Sequence, residues 1–583
     1  MSLFSRKPVH ASLTSGEDLQ NGPAALYLDG VRMSALETGR SRLVFTAAVF
    51  AMIYAAIAVR MVDVAVVDSA PARERSLPEA RTEAIEMERA DIVDRNGVIL
   101  ATSLPTVSLY ARPQEMLDPV EAVIKLETVL TDIDANDVLG RLRSDKNFIY
   151  LRRNLTPRQQ YDVNALGIPG LYFEKGERRV YPHGNLVAHV VGMADIDNRG
   201  IAGIERKMDK GLRGSFEPLR LSLDIRVQTL VRNELQKAVK TFSAKGATGM
   251  VMDVSTGELL ALVSLPDFDP NDPPSGEDEA LFNRATKGAY EMGSTFKLFN
   301  TAMALESGKV SINSSFDATR PMKVGSHTIH DDHAQNRWLS VPEILVHSSN
   351  IGSARMALEA GTEFQKTFMA RLGMLETPSI ELPEVGAPLV PSPWREINTI
   401  TIAFGHGLSV TPLQLVAGTS ALVNGGLYHT PTLLARDETH PVAEERVLKK
   451  RVSDQVRQMM RMVVTEGTGR KADVPGYEVG GKTGTAEKVG HGGYKKKAVL
   501  SSFLAAFPID APRYVVLAMV DEPQATKDTM GFITAGWTAA PVAGRIISQL
   551  APMMGLAPKS LPAPSLAQRP TQAKGRGGLA DAR

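Results

Sequence analysis

Between Arg42 and Arg60 lie seventeen residues without a charge, LVFTAAVFAMIYAAIAV, at positions 43–59. The rest of the chain has to be arranged around this segment. A run of about seventeen apolar residues is the lower limit for a helix crossing the hydrocarbon layer, and an arginine at its end can snorkel to lengthen it. Its only polar side chains are Thr46 and Tyr54, which argues against a buried core helix. The preceding 42 residues are too long for the n-region of a cleaved signal peptide. The segment therefore reads as one membrane span, residues 43–60. Its orientation is not set by charge. Arg32, Arg40 and Arg42 flank one side and Arg60, Arg73 and Arg75 the other, so the positive-inside count is a tie.

The remaining sequence has ordinary globular composition. The whole chain holds 583 residues, 43% hydrophobic and 22% charged, enough for two or three domains. The formal net charge is +1, which provides no basic field for nucleic acid. There is no cysteine, so disulfides and thiolate metal sites are excluded while the compartment is left open. Residues 1–42 are polar without a sustained period and read as a mobile tail. IVDRNGVILATS (residues 92–103) predicts two short strands around an Asn-Gly turn. DPVEAVIKLETVL predicts a helix with Asp118 as cap and Pro119 in the first turn. A second module starts near residue 221, with an Asp-started amphipathic helix and a strand pair in GMVMDVSTGELLALVS. LSSFLAAFPI and RYVVLAMVDE predict two more strands, followed by a helical AAPVAGRIISQLAPMMGL. Strands at both ends with helices between them predict an α+β domain, an antiparallel sheet covered by helices. From residue 557 the chain is rich in Pro, Ala, Gly and Lys and reads as disordered.

One stretch, PGYEVGGKTGTAEK, has two chemical readings. Gly476, Gly481, Lys482 and Thr483 match the phosphate-loop pattern G-x-x-x-x-G-K-[ST], while Lys482-Thr483-Gly484 is a K-T-G triplet. A phosphate loop needs a buried strand before it and a helix starting at its lysine. Here the polar GRKADVP precedes, and GTAEKVGHGGY, broken by glycines, follows. VVLAMVDE resembles a strand ending in a magnesium-binding acid, but such strands are common. The context favours a strand instead, with HGGYKKK as a hairpin tip. Glycine inside a strand often marks close approach by a ligand or another backbone.

YEMGSTFKLFNTAMALESG carries the nucleophile pattern. Ser294 and Lys297 stand three apart and project from one face of a helix's first turn. Free N–H groups at that helix end favour negative charge on Ser294 and disfavour an ammonium at Lys297. A second nearby lysine would act in the same direction, leaving Lys297 able to take the serine proton. S-x-x-K alone is weak, since a capping serine followed by a surface lysine gives the same letters. Ser348, Ser349 and Asn350, taken alone, read as a helix cap. In combination the three are specific: S-x-x-K at 294, S-x-N at 348 and K-T-G at 482 occur in the order of an acyl-transfer signature, with Ser349 where class A β-lactamases have Asp.

On these motifs the chain resembles the penicillin-binding protein transpeptidases. RADIVDRNGVILATS is similar to the opening motif of their class B subgroup, RRVYPHGNLVAHVVGMADIDNRGIAGIE to its stem, and GHGLSVTPLQL to its division-associated branch. The resemblance covers about residues 40–555. It implies a cytoplasmic tail (1–42), a membrane helix (43–60), a periplasmic stem or pedestal (61–215), a transpeptidase domain (216–556) and a disordered tail (557–583). It implies a D,D-transpeptidase of the inner membrane that cross-links peptidoglycan stem peptides at the division septum. An elongation-type enzyme or a carboxypeptidase or β-lactamase-like hydrolase are the alternatives, and a scaffold with a spent site is a further one that the intact motifs argue against.

The resemblance also implies roles. Ser294 is the acylated nucleophile and Lys297 its base; Ser348 and Lys482 relay a proton to the leaving D-alanine. Asn350 holds the substrate amide. Thr483 and Thr485, with Gly484 between them, bind the terminal carboxylate, and the N–H groups of Ser294 and Thr485 form the oxyanion hole. The peptide lies as an added strand along residues 477–486. No cofactor, metal or nucleotide is implied, and β-lactams are expected as inhibitors. Implied partners are a lipid-linked glycan polymerase and other division proteins. HTIHDDH places His327, His330 and His333 beside Asp331 and Asp332, a pattern open to metal binding, but Gly325 and the β-branched residues predict a polar loop bordering the cleft. His406 reads as a loop residue near the site, outside the catalytic set.

Overall fold

The computed structural model describes residues 43–61, 89–325, 327–436, 444–490 and 493–559. The chain divides into two units, Met1–Ile85 and Glu86–Arg583. In the first, helix α1 (Leu43–Met61) is 19 residues long, exposed, and long and apolar enough to cross a membrane. It runs one residue past the expected 43–60. The expected tail 1–42, the first part of the stem, the His491–Gly492 hairpin tip and the last residues from 560 lie outside the described residues.

The second unit begins with a small sheet. Strand β1 (Ile92–Val93) turns back at Asn96 and Gly97, the latter at φ +86°, into the long β2 (Ile99–Ala111). Asp94 fixes this turn, its Oδ1 accepting the Asn96 and Val98 N–H groups at 2.8 and 2.9 Å. Helix α2 (Pro119–Glu127) starts at Asp118, whose carboxylate accepts two orphan N–H groups. Helix α3 (Ala135–Leu142), strand β3 (Ile149–Leu155), helix α4 (Pro157–Ala165) and strand β4 (Leu171–Val180) follow. Strand β2 pairs antiparallel with β1, β3 and β4, while β1 also pairs in parallel with β5 (Leu219–Arg220). Alternate residues of β2, such as Leu109 and Ala111, turn inward onto Val123, Leu126, Val138 and Val163 of the helices. Beneath this sheet lies a fully buried charge cluster: Glu205 accepts from Arg89 and Arg179, each at 2.6 Å.

The larger layer begins with α5 (Ile225–Phe242), capped by Asp224. Then come β6 (Gly246–Asp253), β7 (Leu259–Leu265), α6 (Phe296–Glu306), α7 (Asn350–Ala360), α8 (Pro412–Val423) and α9 (Lys450–Thr465). Strands β8 (Gly480–Gly490), β9 (Gly493–Phe507) and β10 (Tyr514–Asp521) precede α10 (Ala539–Met553). The sheet order is β8-β9-β10-β6-β7, antiparallel throughout. Strands β6, β7 and β10 are buried on both faces, because each face of the sheet is covered. Met250, Met252, Leu504, Val515 and Leu517 pack toward α6, α8 and α9, while Val251, Phe503, Val516 and Ala518 pack toward α5 and α10. Every residue of α8 is buried. A fully buried aliphatic or aromatic side chain contributes about 1.5–3 kcal/mol, so this double-sided core is the rigid platform for what lies on its edge. Strand β8 is that edge, with β9 on one side of it.

Candidate active site

Ser294 lies in a tight turn, Gly293–Thr295, that runs directly into α6. Gly293 has φ +54°, and a Cβ there would stand 2.6 Å from the Thr485 carbonyl oxygen. The turn can approach β8 only because this residue is glycine. The same holds from the other side. A Cβ on Gly484 would meet Thr295 Cγ2 at 2.7 Å, Met292 O at 2.8 Å and Ser502 Oγ at 2.6 Å. Gly484 of the K-T-G triplet thus lets the strand lie flat against the Ser294 turn. Behind the turn, Gly293 N–H donates to Gly405 O at 3.2 Å, and Gly407 N–H donates to Glu291 Oε1 at 2.7 Å. His406 sits between these glycines. Burial lowers its pKa, partly offset by Glu291 and deepened by the Lys297 charge.

Lys297 follows one helical turn on and is fully buried, whereas Ser294 is half-buried. Lys297 Nζ lies 2.9 Å from Ser294 Oγ, 3.1 Å from Ser348 Oγ, and 2.7 Å from both Ser348 O and Asn350 Oδ1. Lys482, also fully buried, reaches in from β8 and places its Nζ 3.0 Å from Ser348 Oγ and 3.1 Å from Thr483 O. The hydroxyl of Ser348 therefore bridges two amines. Ser348 itself has φ +58°, a left-handed conformation that costs a non-glycine residue energy. That turn aims both its carbonyl and its hydroxyl at the lysines.

Burial pushes the Lys297 pKa down to about 8, with Asp332 and then Asp331 opposing the shift. Lys482 falls well below the ordinary lysine range, first through burial and then through the neighbouring Lys297 charge. From sequence the expected causes for Lys297 are the helix end and a second lysine; in the structure it is burial that lowers it. A neutral Lys297 has two N–H donors and one lone pair. The donors match Ser348 O and Asn350 Oδ1, which leaves the lone pair to accept the Ser294 hydroxyl proton.

The HTIHDDH segment has a use that its composition hid. Its first part forms a hairpin, Met322–Val324 with His327–Ile329. Beyond it, Asp331 accepts the Ser349 hydroxyl at 2.7 Å and the Ile351 N–H at 2.9 Å, and His330 O accepts the Asn350 side-chain amide at 2.8 Å. Ser349 in turn caps α7, accepting the Gly352 N–H at 2.9 Å. The loop thus fixes the S-S-N segment. Among the described residues no three His, Asp or Glu side chains converge as metal ligands.

Lys482 stands inside a strand that continues to Gly490 with no helix after it, which removes the phosphate-loop reading. The ordered edge strand begins at Gly480, not near 477 as expected. Thr483 Oγ1 hydrogen-bonds Thr468 Oγ1 at 2.7 Å, and Thr485 Oγ1 accepts the Ala535 N–H at 3.1 Å. Thr468 was missed from sequence: EGTGR carries no motif, and only the fold brings it beside β8. The polar set can supply a nucleophilic alcohol, a base and a proton relay at the end of an unpaired strand edge.

Two family models match the chain: the penicillin-binding protein transpeptidase domain over residues 247–547 and the penicillin-binding protein dimerisation domain over residues 84–237. A probable peptidoglycan D,D-transpeptidase FtsI from Caulobacter vibrioides is 40% identical over 489 residues, covering 82% of this chain and 83% of that protein. The peptidoglycan D,D-transpeptidase FtsI of Escherichia coli K12 is 30% identical over 84% of this chain and 87% of its own length. Among solved structures, penicillin-binding protein 3 of Mycobacterium tuberculosis complexed with aztreonam aligns with TM-score 0.64 and 25% identity, covering 82% of this chain and 98% of that one. The transpeptidase domain of Burkholderia pseudomallei penicillin-binding protein 3 aligns with TM-score 0.53 and 32% identity, covering 59% of this chain and 98% of its own. With its acyl-transfer motifs gathered at one sheet edge and relatives of this extent, the chain belongs to the FtsI-type, class B penicillin-binding proteins.

Proposed function

We propose that the protein is a serine-type peptidoglycan D,D-transpeptidase that cross-links stem peptides during septal wall synthesis, with Ser294 as its acylated nucleophile. The observation that carries this reading is the hydrogen-bonded chain Ser294–Lys297–Ser348–Lys482 on the free edge of β8. Neutral Lys297 takes the Ser294 proton as Oγ attacks the carbonyl carbon of the penultimate D-alanine. The N–H groups of Ser294 and Thr485 hold the oxyanion, an effect worth about 3 kcal/mol per donor. Collapse breaks the peptide bond, and the leaving D-alanine nitrogen takes the Ser348 hydroxyl proton, which the lysines replace. An acceptor amine then attacks the ester, forms the cross-link and returns a proton to Ser294. The donor peptide lies along β8 as an added strand, its terminal carboxylate on Thr483 and Thr485 and its amide on Asn350.

In this reading α1 anchors a single-pass inner-membrane protein with a cytoplasmic N-terminus and periplasmic stem (61–215) and transpeptidase (216–556) domains. It works at the division septum with a lipid-linked glycan polymerase and other division proteins. Incubation of the purified protein with a D-alanyl-D-alanine peptide, with and without an amine acceptor, tests the reaction. New amide product that grows with acceptor concentration is expected; hydrolysis alone, unaffected by acceptor, would make the protein a carboxypeptidase.

A further inference from the structure

A second built cleft, of about 740 Å³, lies where the stem meets the loop at 270–273 and shares no residue with the Ser294 cluster. Five arginines and two carboxylates line it. Arg179 is spent on Glu205 and on the Arg89 and Ala90 carbonyls. Arg152 and Arg153 hold partly exposed ion pairs with Asp132 and Asp197, the kind worth little in water. Arg178 is exposed and makes no ion pair or side-chain hydrogen bond among the described residues. Hydrogen bonds tie the cleft's walls together. Asn271 clamps the Tyr181 backbone, accepting its N–H and donating to its carbonyl, both at 3.0 Å, while the Tyr181 hydroxyl accepts the Ala194 N–H at 2.7 Å. The Arg153 guanidinium lies 4.1 Å over the Tyr150 ring. Tyr150 of β3 stands opposite Tyr110 of β2 in register, and Tyr110 stacks on Tyr172 of β4 at 5.5 Å.

Resting on the proposed function, we propose that this cleft is a second contact for the substrate polymer, binding free carboxylates of uncross-linked stem peptides through Arg152, Arg153 and Arg178. Guanidinium groups match carboxylates two bonds at a time. In this proposal one strand, with a carboxylate on every peptide, engages the cleft while another of its peptides occupies the Ser294 site, and the remote contact raises the effective concentration of donor ends there. An acidic segment of a partner protein offers the same groups. The polymer is favoured because it is what the catalytic site on the same body consumes.

The test uses the full-length protein in detergent and soluble glycan strands bearing D-alanyl-D-alanine peptides. Controls are the same strands stripped of peptides, and poly-glutamate. Wild type is expected to bind peptide-bearing strands, and to lose that affinity with rising salt. The double variant Arg152→Glu, Arg178→Glu is expected to bind about tenfold more weakly and to show raised KM with unchanged kcat on the polymer. Arg152→Gln, Arg178→Gln is expected to lose less in the same direction. Penicillin acylation stays at the wild-type rate in both, which reports an intact fold and an intact nucleophile. Equal affinity in wild type and charge-reversed variant, equal binding of stripped strands, or binding of poly-glutamate but not of strands overturns the proposal. Failure of wild type to be acylated would instead sink the transpeptidase reading.

Discussion

Raising the pH from 7 to 9 should speed acylation of Ser294 about tenfold. Lys297 must be uncharged to accept the serine proton, and burial places its pKa at about 8. At that value about one-tenth of the enzyme is competent at pH 7 and about nine-tenths at pH 9. Lys297 and Lys482 share the Ser348 hydroxyl, so the observed midpoint belongs to the pair. Stopped-flow measurement of the second-order rate constant with a chromogenic β-lactam, over seconds so that the lactam itself survives, gives the profile. Lys297→Arg should flatten it and lower the rate by about 10²–10⁴, because a guanidinium cannot act as the base. A rate independent of pH between 6 and 9, or a Lys297→Arg enzyme that still rises with pH, would refute the base assignment. The same shift has a stability consequence of definite sign. The folded-state pKa is depressed below the ordinary 10.5, so the unfolded chain holds the extra proton between about 8 and 10.5. The contribution of this group to stability therefore rises with pH across that window.

Three further outcomes follow from particular contacts. Asp332→Asn removes the largest influence holding Lys297 charged, so the midpoint of the acylation profile should move to lower pH. Gly484→Ala forces a methyl within 2.8 Å of the Met292 carbonyl, so it should cost about 1–3 kcal/mol in thermal unfolding and strongly impair acylation. Glu205→Leu leaves Arg179 buried without a carboxylate and Arg89 with Asp209 alone, so a loss of about 3–5 kcal/mol is expected in denaturant unfolding, with the Ser294 cluster chemically unchanged.

Much of the site could be read from the chain because its chemistry is carried by short, locally ordered segments. Ser294 and Lys297 are neighbours on one helix turn, and K-T-G reads as a glycine-containing strand. The helix caps at Asp118 and Asp224 and the Asn96–Gly97 turn were equally local. What could not be read is what depends on tertiary approach. Thr468 meets Thr483 only across α9 and β8, and Asp331 holds Ser349 from a segment legible only as a polar loop bordering the cleft, not as the support of the S-S-N turn. The close approach marked by a glycine inside the K-T-G strand was legible, but which backbones meet at Gly293, Gly405 and Gly484 is set only by the fold. The depression of the Lys297 pKa was foreseen in sign, but its main cause, complete burial, is a property of packing and not of helix position.

The most direct measurement is intact-protein and peptide mass spectrometry after exposure to a β-lactam. One adduct is predicted, on the peptide containing Ser294, and it should vanish in Ser294→Ala. An adduct mapped to another residue, or one that survives Ser294→Ala, would contradict the assignment of the nucleophile on which the whole account stands.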